Sequence, residues 1–178
     1  MKLRTLAASM CAATAVALVV PASIATPQSL ASTTTLKQRL ANVIVPAYCQ
    51  MPKQRLHNGK TQRRYLPASG SLLFGAASKG GAMRVHLGST GTQVLAQYGC
   101  NAGNVSWPTV IDAYDARNRL IGFIKLGNIS HTEHADIMQW RSVGHTVRVT
   151  WISYEGCCFH RHTHRQTLTM SGGHLHLA

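Results

Sequence analysis

This sequence predicts a β-dominated fold, namely a single antiparallel sandwich or open barrel of about eight short strands that is linked by disulfides. Several short runs alternate between apolar and polar side chains, which is the period of a half-buried strand. Residues typical of turns, chiefly Gly, Asn, Asp and Ser, separate these runs. After residue 31, no long stretch has apolar residues at the spacing of an amphipathic helix. These three observations favour antiparallel strands joined by short turns.

The first part of the expected domain contains few strands. Residues 35–42 (TLKQRLAN) have the pattern of one or two helical turns, and residues 43–46 form a short strand that a proline ends. Residues 47–70 are polar, and the segment 57–60 (HNGK) is a turn signal. Residues 72–74 (LLF) are an apolar run of the kind that is buried in a core.

The middle of the chain contains clearer strands. Residues 84–87 alternate between polar and apolar side chains, and so do residues 146–151. Between these two runs, Val94, Tyr98 and Cys100 alternate with other residues and therefore share one face of a strand. Cys100 is thus expected to point inward, which suits a buried disulfide.

Two hairpins are predicted. Residues 109–113 and 120–126 flank a turn signal, the segment Asp-Ala-Arg-Asn. The last hairpin joins residues 166–170 to residues 174–177 through a Ser-Gly-Gly turn, in which the glycines supply the positive φ that a tight turn requires. If the two glycines form the turn, Thr169 lies opposite His176.

The first 31 residues have the features of a secretory signal peptide. Lys2 and Arg4 provide a positive start, residues 5–20 are small or apolar, and small residues suited to cleavage follow. The apolar run of about sixteen residues is shorter than the roughly twenty that a membrane-spanning helix needs. We therefore expect residues 1–31 to be removed and residues 32–178 to form one secreted, extracellular domain, with no transmembrane anchor after cleavage.

Four cysteines remain in the expected mature domain: Cys49, Cys100, Cys157 and Cys158. An even number of cysteines in an oxidising compartment indicates two disulfides. The Cα atoms of the adjacent Cys157 and Cys158 are about 3.8 Å apart, whereas a disulfide usually requires roughly 4.4 to 6.8 Å. We therefore expect each of these two to pair with one of Cys49 and Cys100. A metal site is the alternative, although no Cys-x-x-Cys spacing supports it.

The expected mature domain is strongly basic, with sixteen Lys and Arg against five Asp and Glu, or a net charge of +11. A positive field of this size favours polyanions such as wall polymers, anionic lipid head groups or nucleic acid. Residues 53–64 are the densest basic run, and we treat its cations as a candidate anion-binding site: Lys53, Arg55, Lys60, Arg63 and Arg64. No nucleic-acid-binding motif accompanies this run. A solvated basic loop is the plainer interpretation of this run. If the run binds a partner, an anionic polymer or the cell envelope is expected, and nucleic acid remains open as a second.

Histidines are concentrated near the C-terminus, where five of the ten lie in the last nineteen residues. His160, His162 and His164 alternate along one expected strand and so share a face. Because imidazole binds Zn, Cu and Ni, these three are a candidate metal site and metal binding is an alternative function. His174 and His176 are expected on the opposite face. Exposed strand histidines that bind nothing are the plainer interpretation, and no cofactor is predicted.

Evidence for catalysis is weak in this sequence. Residues 131–136 (HTEHAD) combine acids and bases that could ligate a metal or exchange protons, but so polar a stretch is expected to be a solvated loop. No nucleophile elbow, Walker loop or zincin motif is present. With five acids in all, the chain offers few carboxylate pairs for glycosidase chemistry. A non-catalytic protein is therefore expected, and a hydrolase with an unrecognised site is a further alternative.

The order of these landmarks resembles that of a group of small secreted actinobacterial proteins, most of them uncharacterised. The landmarks that carry the resemblance follow the signal peptide: residues 40–46 (LANVIVP) with Cys49 just after, a strand that ends at Cys100, residues 110–122, and residues 154–158 (YEGCC) before a final hairpin. The resemblance implies a secreted, β-rich domain and transfers no activity.

Overall fold

A computed structural model describes most of the expected domain. The described residues are 36–62, 68–73, 81–89, 91–102, 105–132, 134–155 and 160–178. The expected signal peptide, residues 1–31, lies outside them, as do Arg63, Arg64, Cys157 and Cys158. Within these ranges, no helix combines the length and the apolar character needed to cross a membrane.

Strands dominate the described chain, which confirms the predicted fold class. Helix α1 covers residues 36–40, and helix α2 covers Leu126–Ser130. The strands within the described ranges are β1 (Ile44–Val45), β2 (Gln54–Arg55), β3 (Ser69–Leu73), β4 (Met83–His86), β5 (Thr92–Ala102), β6 (Val105–Ser106), β7 (Val110–Tyr114), β8 (Leu120–Lys125), β9 (His134–Val143), β10 (Thr146–Glu155), β11 (His160–Ser171) and β12 (His174–Leu177). They outnumber the eight expected because β2 and β6 have two residues each, too few to show alternation in the sequence, and because β9 begins in a polar stretch that was expected to be a loop.

The described strands form three antiparallel sheets. The largest has six strands in the order β3-β5-β7-β8, with β4 and β6 also paired to β5. A second sheet has four strands in the order β12-β11-β10-β9, and β1 pairs with β2 in a separate hairpin. Short turns join neighbouring strands in most cases, as the turn signals in the sequence predict.

The six-stranded sheet is buried on both faces, because alternate residues of β5 and β7 point to opposite sides. On one face, Leu95 and Ile111 join a core with the four-stranded sheet. On the other face, Val94 and Tyr98 join a second core with residues 36–56. The predicted sandwich is therefore present, and an N-terminal layer adds a third level to it.

A disulfide between Cys49 and Cys100 ties the N-terminal layer to the six-stranded sheet. Their Cα atoms are 6.3 Å apart, within the usual range for a bridge. The expected pairing, in which Cys157 and Cys158 take these two partners, is therefore wrong. The prediction failed because the short distance between Cys157 and Cys158 argues only against a bond between those two. It does not show which segment of the chain covers Cys100. The face of β5 was predicted correctly, since Cys100 is buried in the same core as Val94.

Both predicted hairpins are present. β7 pairs with β8 and β11 pairs with β12, each in antiparallel register. Gly172 and Gly173 form the last turn with φ of 57° and 79°, values that glycine adopts without strain. Thr169 lies opposite His176, as the two-glycine turn predicts.

The stretch 131–136 was expected to be a solvated loop, but its second half is the start of β9. The strand begins at His134, and Ala135 and Ile137 are buried while the residue between them is exposed. Burial of these alternate side chains outweighs the polar composition that suggested a loop. Glu133 lies outside the described residues.

Candidate anion-binding site

The turn between β7 and β8 presents two arginines in fixed positions. The carboxylate of Asp115 accepts hydrogen bonds from the backbone N–H groups of Arg117 (2.8 Å) and Arg119 (2.9 Å), and from Nε of Arg119 (2.6 Å). Asn118 adopts the left-handed conformation, with φ of 60°, which asparagine tolerates better than most residues. Because the carboxylate closes the turn from inside, both arginine side chains stay exposed.

The same hydrogen bonds lower the pKa of Asp115. Burial acts to raise this pKa, but the backbone and side-chain hydrogen bonds from Arg119, the backbone hydrogen bond from Arg117 and the charge of Arg119 outweigh that effect. The carboxylate therefore stays ionised to lower pH than an ordinary aspartate. It remains a stable acceptor that holds the turn in shape.

Arg39 connects helix α1 to this turn. Its Nε and Nη2 donate to Oδ1 of Asn118 at 3.2 and 2.9 Å, and Nη2 also donates to the carbonyl oxygen of Ala116 at 3.1 Å. A guanidinium presents its N–H groups as a planar fork, which suits closely placed acceptors of this kind. The contact fixes the Arg39 guanidinium beside the turn.

The β1–β2 hairpin and its connection supply further cations. On β2, Gln54 is buried, and its neighbours Lys53 and Arg55 are exposed. Nη1 of Arg55 donates to the carbonyl oxygen of Asn42 at 2.7 Å, which holds this side chain along the hairpin. Among the described residues, the ammonium of Lys53 and the guanidinium of Arg117 have no hydrogen-bond or ion-pair partner.

These side chains surround one open pocket of about 500 Å³, which we call the basic pocket. Its lining includes five cationic residues from three separate parts of the chain: Arg39, Lys53, Arg55, Arg117 and Arg119. Val43, Ile44 and Leu120 add an apolar portion to the walls. Guanidinium groups bind phosphate and carboxylate through paired hydrogen bonds, and clustered charge of one sign raises the local potential. The arrangement is suited to an anion.

Only part of the predicted anion-binding set lies at this pocket. Lys53 and Arg55 line it, whereas Lys60 lies at a different cleft, beside β3 and β5. Arg63 and Arg64 lie outside the described residues. The described cations of residues 53–64 therefore lie at two separate cavities and do not form one surface.

Arg39, Arg117 and Arg119 were not predicted as binding residues. Each lies in a stretch without other signs of a site, and only the packing of α1 against the β7–β8 turn brings them to the same pocket as β2. One local signal was available. In residues 115–119 (DARNR), an aspartate at the start of a turn can accept the N–H groups two and four positions later, which directs the arginines outward.

His160, His162 and His164 lie on one face of β11, as predicted. The buried Leu168 lies on the same face, which packs toward the six-stranded sheet. Directly paired residues share a face, and His164 is paired with the buried Trp151. The two rings stack with centroids 3.9 Å apart, and Nε2 of His164 lies 2.8 Å from Oγ of Ser153. His164 is therefore half-buried rather than an exposed strand histidine. His160 and His162, farther along the strand, are exposed.

Burial lowers the pKa of His164, and the charge of His162 lowers it further. The imidazole of His164 is therefore more often neutral at a given pH than an isolated histidine. Nε2 of His162 lies 3.4 Å from Oε1 of Glu155, and His160 is paired with Glu155 in the β10–β11 register. In the described part of the chain, no three His, Cys, Asp or Glu side chains converge on a point where they could hold a metal. Metal binding by these histidines stays a prediction.

The register of the last hairpin places His174 and His176 on the face opposite the β11 histidines. His176 is paired with Thr169 and His174 with Ser171, both odd-numbered positions of β11, whereas the buried Leu168 is even-numbered. The two groups of histidines therefore do not meet, which confirms the prediction from the two-glycine turn.

The pair formed by Ser153 and His164 has the spacing of a nucleophile and its base. Ser153 is only 2% exposed, however, and it lines neither the basic pocket nor the two other cavities that lie beside Trp107. A substrate would need access to the hydroxyl. The contact is better explained as the hydrogen bond that a buried serine requires.

A buried carboxyl group lies in the N-terminal core. Asp112 is fully buried on β7, and the hydroxyl of Tyr114 donates to its Oδ2 at 3.1 Å. Oδ1 has no hydrogen-bond partner among the described residues. Burial raises the pKa of Asp112 well above its ordinary value, although the hydrogen bond from Tyr114 acts in the opposite direction.

Comparison of the chain with protein-family models, curated proteins and solved structures finds no match. The resemblance to small secreted actinobacterial proteins therefore stays a prediction.

Proposed function

We propose that this protein is a secreted, non-catalytic domain that binds an anionic polymer of the cell envelope through the basic pocket. The observation that supports the proposal most strongly is the convergence of five cationic side chains, from α1, the β1–β2 hairpin and the β7–β8 turn, on one pocket. Positive charge spread over a surface gives weak, unspecific attraction, whereas charge gathered in a concave site gives an anion a defined position.

The state of the individual side chains fits a ligand site. Arg39 and Arg55 are held by hydrogen bonds, so little side-chain freedom is lost when they contact a ligand. Lys53 and Arg117 have no partner among the described residues, and their charges are available. Arg119 is partly neutralised by Asp115. The pocket thus combines a fixed wall with unpaired cations.

Phosphate is the anion that this set of groups recognises best. Each phosphodiester of a phosphate polymer offers two non-bridging acceptor oxygens and one negative charge, which suits the paired N–H donors of a guanidinium group. A polymer with repeated phosphate groups would also be attracted by the net charge of the expected mature domain, +11. Because the first 31 residues predict secretion, envelope polymers rather than nucleic acid are the partners that the protein would meet.

The test is binding of a poly(glycerol phosphate) chain, measured by titration calorimetry at several salt concentrations. We expect the affinity to fall steeply with salt, because each contact with a phosphate releases a counterion. The double variant K53Q/R117Q removes two cations that hold no other residue in place. It should weaken binding by about tenfold or more at low salt and reduce the slope of log K against log salt by about two.

The matched control is R141Q/R148Q, which removes two exposed cations from the four-stranded sheet. It changes the net charge by the same amount but does not touch the pocket. If the control variant weakens binding as much as K53Q/R117Q does, the polymer contacts a diffuse basic surface and the proposed site is wrong. A DNA duplex of equal charge, tested in parallel, shows whether the pocket prefers the wall-type polymer.

A further inference from the structure

A second cavity lies at the opposite end of β7 from the basic pocket. It has a volume of about 430 Å³ and is lined by residues of β3, β5, β6 and β9 and of the segment before β7. We call it the polar cleft. The last residue of β7 is Tyr114, and the basic pocket lies beyond it. The first residue of β7 is Val110, and the polar cleft includes Thr109, which directly precedes it. The two cavities share no lining residue.

The lining of the polar cleft differs in chemistry from that of the basic pocket. Its lining residues include one ammonium, Lys60, and one carboxylate, Asp136, so their formal charges cancel. The remaining polar groups are hydroxyls and an amide, among them Asn101 and Ser106. The cleft therefore offers both donors and acceptors, and its lining residues carry no net formal charge that would select for an anion.

Several of these groups are already held in position. Oγ of Ser106 donates to Oδ1 of Asn101 at 2.8 Å, which leaves the amide nitrogen of Asn101 as a donor. Oγ1 of Thr109 donates to Oδ1 of Asp136 at 3.3 Å, which leaves the other carboxylate oxygen as an acceptor. The backbone N–H of Thr109 also bonds to the carbonyl oxygen of Ala135 at 2.8 Å, so this wall is joined to β9.

Trp107 provides an aromatic wall for the polar cleft. The indole ring meets the ring of Tyr48 edge to face, with centroids 5.5 Å apart and planes at 89°. Tyr48 is itself fixed, since its hydroxyl donates to the carbonyl oxygen of Pro108 at 2.9 Å. The backbone N–H of Trp107 donates to the carbonyl oxygen of Cys100 at 2.9 Å. The contact with Tyr48 holds the partly exposed indole beside the polar groups.

We infer that the polar cleft binds a neutral sugar residue, independently of the basic pocket. A pyranose ring has an apolar face of C–H groups that packs on an indole and a rim of hydroxyls that each donate and accept hydrogen bonds. The cleft combines a fixed tryptophan with paired donors and acceptors and no net charge, which matches both features. An envelope glycan would supply such a ligand.

The test is a fluorescence titration of the full secreted chain with a panel of neutral probes: glucose, galactose, N-acetylglucosamine and the tetramer of N-acetylglucosamine. Three tryptophans are present, and Trp140 and Trp151 are buried at 2% and 0% exposure. A ligand at the surface should therefore change the emission of Trp107 alone. We expect saturable binding with a dissociation constant on the order of 1 mM for a monosaccharide and tighter binding for the tetramer.

Two variants separate a specific site from a change in folding. W107A should abolish the fluorescence response, but it also removes a side chain that packs against the N-terminal core. N101A/S106A alters two exposed side chains and should leave the melting temperature unchanged while weakening binding about tenfold, measured by calorimetry. The matched control K53Q/R117Q should bind the sugar as the wild type does. No saturable binding by any probe, or unchanged affinity in N101A/S106A, would overturn the inference.

Discussion

The carboxyl group of Asp112 lies in an apolar core, where an ionised side chain has a high free-energy cost. Its one hydrogen bond, from Tyr114, satisfies a single oxygen. The carboxyl group avoids this cost when it keeps its proton, and burial therefore raises the pKa of Asp112. Nothing in the local sequence VIDAY distinguishes this aspartate from an exposed one, because its burial comes from the N-terminal layer.

Asp112 should therefore make the protein less stable as pH rises. Above the ordinary aspartate pKa of 3.8, the unfolded chain loses the proton while the folded chain keeps it, so the free energy of unfolding falls with increasing pH until the raised pKa is passed. D112N cannot ionise. Its free energy of unfolding, measured by urea denaturation, should exceed that of the wild type at pH 8, and this gain should shrink toward pH 4.

The control for this prediction is D115N, since the pKa of Asp115 is lowered. The stability that Asp115 contributes is present above its ordinary pKa and is lost as pH falls through the lowered value. D115N should thus be less stable than the wild type at neutral pH, with a difference that shrinks in acid. A D112N variant that is destabilised equally at every pH would mean that Asp112 is ionised in the folded protein.

The strands that alternate over several residues were predictable, because burial of every second side chain leaves a pattern in the sequence. The β11–β12 register also followed from local chemistry, since a two-glycine turn permits one pairing. The disulfide partner of Cys100 could not be predicted in this way, because the alternation of β5 shows which face is buried but not which segment covers that face. The whole of β9 was missed, because the strand begins in a polar run and its buried residues are separated by exposed, mostly polar ones.

The β10–β11 ladder makes the β11 histidines unequal. His164 covers Trp151 and satisfies Ser153, whereas His162 and His160 are exposed. H164A should lower the free energy of unfolding by about 1 to 3 kcal/mol through loss of the stack and the hydrogen bond, as measured by urea denaturation.

H162A is the matched variant and should change the free energy of unfolding by less than about 0.5 kcal/mol. The lowered pKa of His164 adds a pH dependence. The unfolded chain binds a proton near pH 6.5 before the folded chain does, so the stability due to neutral His164 is lost as pH falls below that value. Equal effects of H164A and H162A would show that the stack on Trp151 contributes nothing.

The three layers of the molecule create two cavities of different chemistry at the two ends of one central strand, β7. The basic pocket forms where the N-terminal layer meets the β7–β8 turn, and the polar cleft forms where β9 of the four-stranded sheet approaches β5 and β6. Neither could be found from the sequence, because the groups of each cavity come from segments far apart in the chain. Composition predicts an anionic ligand, and the fold shows which cations lie around one pocket.

The most direct measurement is an NMR titration that follows the Nε–Hε signals of the arginines while a poly(glycerol phosphate) oligomer is added. A ligand in the basic pocket perturbs the guanidinium groups that surround it and leaves distant ones unchanged. We predict shifts for Arg39, Arg55, Arg117 and Arg119, together with unchanged signals for Arg84, Arg141 and Arg148. Shifts of similar size in both sets, or shifts confined to the second set, would contradict an anion-binding role for this pocket.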